Sequence, residues 1–365
     1  MLSKRSSIHR PEISVGAHPL LRDAPIPDIW GLRQKRKVHR FRWCLRRCPL
    51  LLILLWSNTF VLGQNRLSTA PLKRDRIRNM ISIERSFPRM ENGYVFSFRP
   101  SVRQAGEDDL IVASPAKGQD YQLGFSVPGM SETRISDVSV GPEGQVYIVG
   151  SAIKAGDVTV RGFLSNLDLT AHGSTVFFDE YKPERVCVAG DGTLWVLGQP
   201  LNAELANTPS GMLRNYTAQG ELRSEFLPAL NFPVVARNVG KRSQIFLSCG
   251  EESVGVYLGP ARLWVEIAYG EVLAEQRHVD PPQSSVMSRL VLVHKGEVLA
   301  SFRDRLPDGQ LGRVNHFYRL SMDRSPVSWE SINGGETSNA SNVPARVLLG
   351  RDGDSVVYLD SSQIR

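Results

Sequence analysis

A chain of 365 residues has room for one large domain or two ordinary ones, and 41% hydrophobic with 22% charged content excludes global disorder. The formal charge of +7 belongs to the N-terminus: residues 1–63 carry 12 Lys and Arg against 3 Asp and Glu, leaving 32 against 34 for residues 64–365. A body so close to neutral gives no ground for nucleic-acid binding.

Residues 1–34 contain Pro11, Pro19, Pro25 and Pro27 and no periodic pattern, and they read as an unstructured N-terminal extension. Residues 35–63 have the order of an export signal. Lys35, Arg36, Lys37, Arg40, Arg42, Arg46 and Arg47 form a basic block, and the run PLLLILLW follows at 49–56. Val61 and Gly63 are small enough to place cleavage after Gly63. The apolar run is about fifteen residues, short of the roughly twenty that span a bilayer, so an uncleaved anchor through residues 49–63 is the alternative. Arg46-Arg47 resembles a twin-arginine pair, but Cys48-Pro49 does not fit that motif, and the ordinary export route is preferred. The expected location is extracytoplasmic, periplasmic or secreted. Residues 64–92 are basic through Lys73, Arg74, Arg76, Arg78, Arg85 and Arg89 and are interrupted by Pro71 and Pro88, which describes a solvated linker.

Beyond the leader only Cys187 and Cys249 remain. Two cysteines are not a disulfide framework. A bond between them needs their Cα atoms within about 7 Å, which neighbouring repeats are not expected to provide, so both are read as unpaired core residues.

From residue 93 onward the pattern is all β. Strands are expected at 94–98, 110–113 and 121–127, and then a unit repeats. Residues 138–150, VSVGPEGQVYIVG, read as strand, tight turn, strand. Residues 186–198, VCVAGDGTLWVLG, repeat that pattern without a gap, matching Val138 to Val186, Gly144 to Gly192, Tyr147 to Trp195 and Gly150 to Gly198. Each hairpin is followed by two more strands, at 161–169 and 174–178, then at 211–217 and 221–226. A weaker third unit is expected with strands at 233–238, 243–248, 262–269 and 272–277, placing Phe246 where Trp195 stands. A fourth runs through 289–294, 297–302, 315–321 and 327–332, and a last hairpin occupies 346–349 and 355–359.

Units of four strands every 40 to 60 residues, with no helical periodicity between them, indicate a β-propeller. The N-terminal strands lack an inner partner and the C-terminal hairpin lacks outer ones, so the two are expected to share a blade and close the ring over residues 93–365. The count is five blades, or six if 94–98 belongs to a blade of its own. The hairpins GPEGQVYIVG and AGDGTLWVLG resemble those of NHL-type propeller repeats. The resemblance implies the fold and carries no functional residue with it.

No catalytic, cofactor-binding or metal-binding residue is assigned. His172, His278, His294 and His316 share no metal-ligand spacing, and nucleophile-elbow, Walker and dinucleotide motifs are absent. Asp352-Gly353-Asp354 with Asp360 places its glycine wrongly for a calcium loop. Asp108-Asp109, Asp179-Glu180 and Glu251-Glu252 read as solvated turn charges. Asn215-Tyr216-Thr217 and Asn339-Ala340-Ser341 match the glycosylation sequon. The expectation is a monomeric binding module for a protein or cell-envelope component, touching membrane only through its N-terminal segment, with the loops at 199–210 and 333–344 as the first places to look. The alternative is a metal-dependent, lactonase-like hydrolase with a divalent metal held in the central channel by scattered ligands.

Overall fold

The computed structural model describes residues 88–360 apart from 100–101, 104–105, 115–118, 128, 155, 157–158, 171, 203, 205–206, 237–243, 272–273, 333–345 and 353–354. The export signal, nearly all of the basic linker, the 333–344 loop and the Asn339 sequon therefore lie outside the described residues.

The strands form five blades. The first contains β1 (Arg89–Glu91) and β2 (Tyr94–Phe98); β3 (Val102–Arg103) leaves it, and β4 (Gly106–Ser114) and β5 (Gln119–Phe125) complete it. The second holds β6 (Met130–Val140), β7 (Val146–Lys154), β8 (Val160–Leu167) and β9 (Gly173–Phe178), with β3 paired to β6. The third holds β10 (Tyr181–Val188), β11 (Leu194–Pro200), β12 (Gly211–Tyr216) and β13 (Leu222–Pro228). The fourth holds β14 (Ile245–Cys249), β15 (Ser253–Leu258), β16 (Leu263–Ala268) and β17 (Glu275–His278), and the fifth β18 (Ser285–His294), β19 (Glu297–Arg305), β20 (Leu311–Ser321) and β21 (Ser328–Ser331).

Each blade is an antiparallel meander whose first strand lies innermost. The C-terminal hairpin, β22 (Arg346–Asp352) and β23 (Ser355–Asp360), joins the first sheet through a parallel pairing of Met90 with Gly350. The two ends of the domain thus share one sheet, which has six strands because β1 supplies the N-terminal unit with an inner strand of its own. Residues 94–98 sit in that sheet, which makes the count five and not six. Arg89, placed by its sequence in the basic linker, is in β1.

The repeat holds in register. Val138 faces Ile148 and Val186 faces Val196, and the two turns close with the same hydrogen bonds. The amides of Gly144 and Gly192 donate to the carbonyls of Gly141 and Ala189, each at 3.0 Å. Gly198 explains the glycine that ends both hairpins. A Cβ there would lie 2.4 Å from the Lys182 carbonyl oxygen and 2.6 Å from the Tyr181 ring, where the facing strand bulges inward.

Aromatic residues on the second strands pack between blades. Trp195 lies 5.5 Å from Phe226 and 6.2 Å from Tyr269, so it joins the third blade to the fourth. It is 4% exposed, and burying a side chain of that size contributes about 3 kcal/mol. Outermost strands pack on one side only, and β17 is exposed along its length.

Two expectations are corrected here. In the fourth blade, residues 233–236 are not the first strand, and 237–238 lie outside the described residues. Pro233–Ala236 is a single helical turn, α1, with proline at its start, and the first strand is β14, on which Phe246 lies. The misplacement traces to β15, SVGVYL, which has Gly255 at its centre. Glycine weakens a strand pattern, but here the Trp264 ring covers it, 2.2 Å from where a Cβ would stand. The second correction follows from the first. With Cys249 on an innermost strand, β14 runs beside β10, and Cys187 and Cys249 form a disulfide with their Cα atoms 5.7 Å apart.

Candidate functional site

The innermost strands surround the propeller axis, and their side chains stitch each to the next. Between β1 and β6, the Asn92 amide donates to the Val140 carbonyl at 2.8 Å and the Ser139 hydroxyl donates to the Glu91 carboxylate. Arg89 reaches the Val138 carbonyl at 3.3 Å and meets Asp137 Oδ1 at 2.6 Å, an ion pair without hydrogen-bond alignment at that oxygen. From β6 to β10, the Val186 amide donates to Asp137 Oδ2 at 3.1 Å and the Val188 amide to Ser139 Oγ at 3.2 Å. The disulfide joins β10 to β14, and Arg185 Nε donates to the Ile245 carbonyl at 3.1 Å. The Leu292 amide of β18 donates to Ser248 Oγ of β14 at 2.9 Å. Arg289 on β18 donates to the Leu349 carbonyl at 3.1 Å, and Arg351 on β22 returns a long bond of 3.5 Å to the Val293 carbonyl.

These strands line one cavity of about 130 Å³. Arg89, Arg185, Arg289 and Arg351 reach it from β1, β10, β18 and β22, together with Glu91, Asp137 and the disulfide sulfurs' residues. Local backbone irregularity aims three of these side chains. Asp137, Arg185 and Arg289 each follow one unpaired residue on a first strand, where the register slips between 135 and 137, 183 and 185, and 287 and 289. A bulge re-aims the side chain next to it, and the same device recurs in three blades.

Charge in the cavity is unevenly matched. Arg89 has Asp137, which is only 2% exposed. Arg185 is held by neutral carbonyls, including that of Glu184 at 2.8 Å, and by the face of Phe246. Arg289 has the Leu349 carbonyl, which uses one of the five N–H donors of its guanidinium. Burial lowers its pKa to about 9, and repulsion from Arg89 and Arg185 adds to the effect against the pull of Glu91 and Asp137. Burial likewise raises the Glu91 carboxyl above its ordinary 4.5, against the opposing pull of Arg89 and the Ser139 hydroxyl.

The four histidines do not gather here. His278, His294 and His316 form exposed pairs with Asp280, Glu251 and Asp304 at 3.6, 3.2 and 3.0 Å, and His172 caps a surface turn with Thr170. Asp179 pairs with Arg161 at the surface. No three His, Cys, Asp or Glu among the described residues stand close enough together to hold a metal ion. Asn215 is 6% exposed and donates its amide to the Leu194 carbonyl, so that sequon is closed in the folded domain. Of the pocket arginines the sequence pattern marks only Arg89, and that as part of the basic linker. A signal was present: Asp137, Arg185 and Arg289 each stand seven residues before a turn glycine, at 144, 192 and 296.

No family model matches the chain, and no curated protein matches it. Solved structures similar to it include a protein of unknown function from Bacteroides caccae, 8% identical over 66% of this chain and 80% of that one, with a TM-score of 0.37. YCF48 bound to D1 peptide is 10% identical over 66% and 64%, with a TM-score of 0.36. The GH74 enzyme of Niastella koreensis is 13% identical over 67% and 36%, with a TM-score of 0.42. These neighbours are β-propellers, and the likeness stops at the fold.

Proposed function

We propose that the chain is an exported or membrane-tethered β-propeller that serves as a binding module and takes its ligand, or one group of a protein partner, at the axial pocket. The observation that supports this most is the make-up of the pocket. Every blade contributes to it, and it presents four guanidiniums and two carboxylates already engaged by Arg89 and Ser139. Both pocket cysteines are tied up in the disulfide. A disulfide linking two blades also suits a protein that folds in an oxidising compartment, in keeping with the order of the leader.

The rival is the metal-dependent hydrolase. A divalent cation at the axis would have to compete with Arg89 for Asp137 and with the Ser139 hydroxyl for Glu91. The test uses the purified full chain: metal analysis, melting with and without chelator, and turnover of lactone and ester substrates. The binding reading expects no chelator-sensitive turnover. A stoichiometric divalent ion whose removal abolishes hydrolysis would replace it with the enzyme.

A further inference from the structure

The axial pocket contains more fixed positive charge than its own carboxylates match. We propose that Arg185 and Arg289 hold an oxyanion there, the phosphate or carboxylate group of the module's ligand. This rests on the binding-module reading for its biological meaning, but the chemistry stands on the pocket alone.

Four guanidiniums and two carboxylates line the cavity. Asp137 is matched to Arg89 and also accepts the Val186 amide; Glu91 accepts from Ser139. Arg185, Arg289 and Arg351 are left with neutral carbonyl partners, and Arg351's is the longest of these bonds, at 3.5 Å. A guanidinium partly withdrawn from water and not paired with a carboxylate is costly, and an anion beside it offsets that cost. Arg289 shows the strain on its charge: burial, with repulsion from Arg89 and Arg185, lowers its pKa to about 9, and a bound anion would act in the opposite direction.

The backbone fixes the arrangement. Arg185 and Arg289 occupy the same place in their blades, one residue past a bulge, and the carbonyls of Ile245 and Leu349 on the next inner strand anchor each guanidinium. Such donors are preorganised and lose little freedom on binding. Ser248 adds a hydroxyl at the lining. Its oxygen accepts the Leu292 amide, which leaves its own proton to donate. A cavity of about 130 Å³ has room for one phosphate or carboxylate group.

The experiment titrates the full chain with sodium phosphate and, separately, with sodium acetate, against chloride at equal ionic strength. Binding is read by calorimetry and by melting temperature. Wild type is expected to bind one anion per chain, saturably. Arg185→Gln and Arg289→Gln are each expected to weaken binding at least tenfold. Arg289→Gln removes a half-buried charge repelled by Arg89 and Arg185, so this variant is expected to fold and to melt no lower than wild type without anion. The variants also separate the pocket from the basic leader at 35–47, which they leave intact. Phosphate saturating alone assigns a phosphoryl ligand, acetate alone a carboxylate, and both the shared chemistry. Wild type without a saturable response beyond chloride, or both variants binding like wild type, would overturn the proposal. Metal-dependent turnover would instead overturn the binding-module reading, and the anion titration would be unaffected by it.

Discussion

Replacing Cys187 and Cys249 together by alanine removes the disulfide between the third and fourth blades. The bond closes a loop with a sequence separation of 62, and the loss of unfolded-state entropy from such a loop is worth about 4 kcal/mol. Part of a further loss comes from the Cys187 side chain, which is 5% exposed and packs against Trp195 and Leu197 in the same core cluster. With a urea m-value of about 3 kcal/mol/M, the unfolding midpoint should fall by about 1 M. The assay is urea denaturation of the full chain, alkylated at purification and followed by tryptophan fluorescence, beside the double variant and wild type with reductant. Reduced wild type and the double variant should unfold together, well below the oxidised protein. Thiol titration gives an independent check: in denaturant without reductant, at most Cys44 and Cys48 should react. Four reactive thiols, or a midpoint indifferent to reductant, would refute the bond and with it the placement of β14 beside β10.

Three further outcomes are expected. Gly198→Ala sets a Cβ 2.4 Å from the Lys182 carbonyl oxygen and should destabilise by about 3 kcal/mol, whereas Gly190→Ala, with open space around its Cα, should be near neutral; chemical denaturation compares them. Glu266 is 5% exposed and accepts from the Ser253 hydroxyl at 2.7 Å and the Gly296 amide at 3.1 Å, so Glu266→Ala orphans two donors and should cost about 3 kcal/mol, with a smaller loss for Glu266→Gln. Glu91 has a raised pKa, chiefly through burial, so the folded state holds its proton more tightly than the unfolded state. The stability this contributes is full below 4.5 and is lost as pH rises through the folded value. Wild type should therefore lose stability relative to Glu91→Gln as pH climbs from 4.5, measured by denaturation at a series of pH values; a gap that widens in favour of wild type would contradict it.

The repeat was legible because a hairpin is local. Val138 and Val186 face their partners across turns only a few residues long, and those turns need glycine at 144 and 192 whatever the rest of the chain does. Where a strand departs from its local signal, the reading slipped. Gly255 makes β15 look broken, and only Trp264 on the neighbouring strand compensates. The pocket arginines were overlooked for a related reason. Arginine seven residues before a turn glycine is ordinary in a strand, and the bulges that turn Arg185 and Arg289 inward are set by pairing with β11 and β19.

By itself, the sequence determined the fold class, the meander within each blade and the sharing of one sheet by the two ends, since all three follow from alternation, turn chemistry and incomplete terminal units. Tertiary structure decided the rest. Cys187 and Cys249 meet, and side chains 44 to 60 residues apart bond across neighbouring inner strands, only when the ring brings successive blades side by side. Local pattern specifies a hairpin, but no local pattern records which hairpin will stand next to it, and the pocket is made of those neighbours.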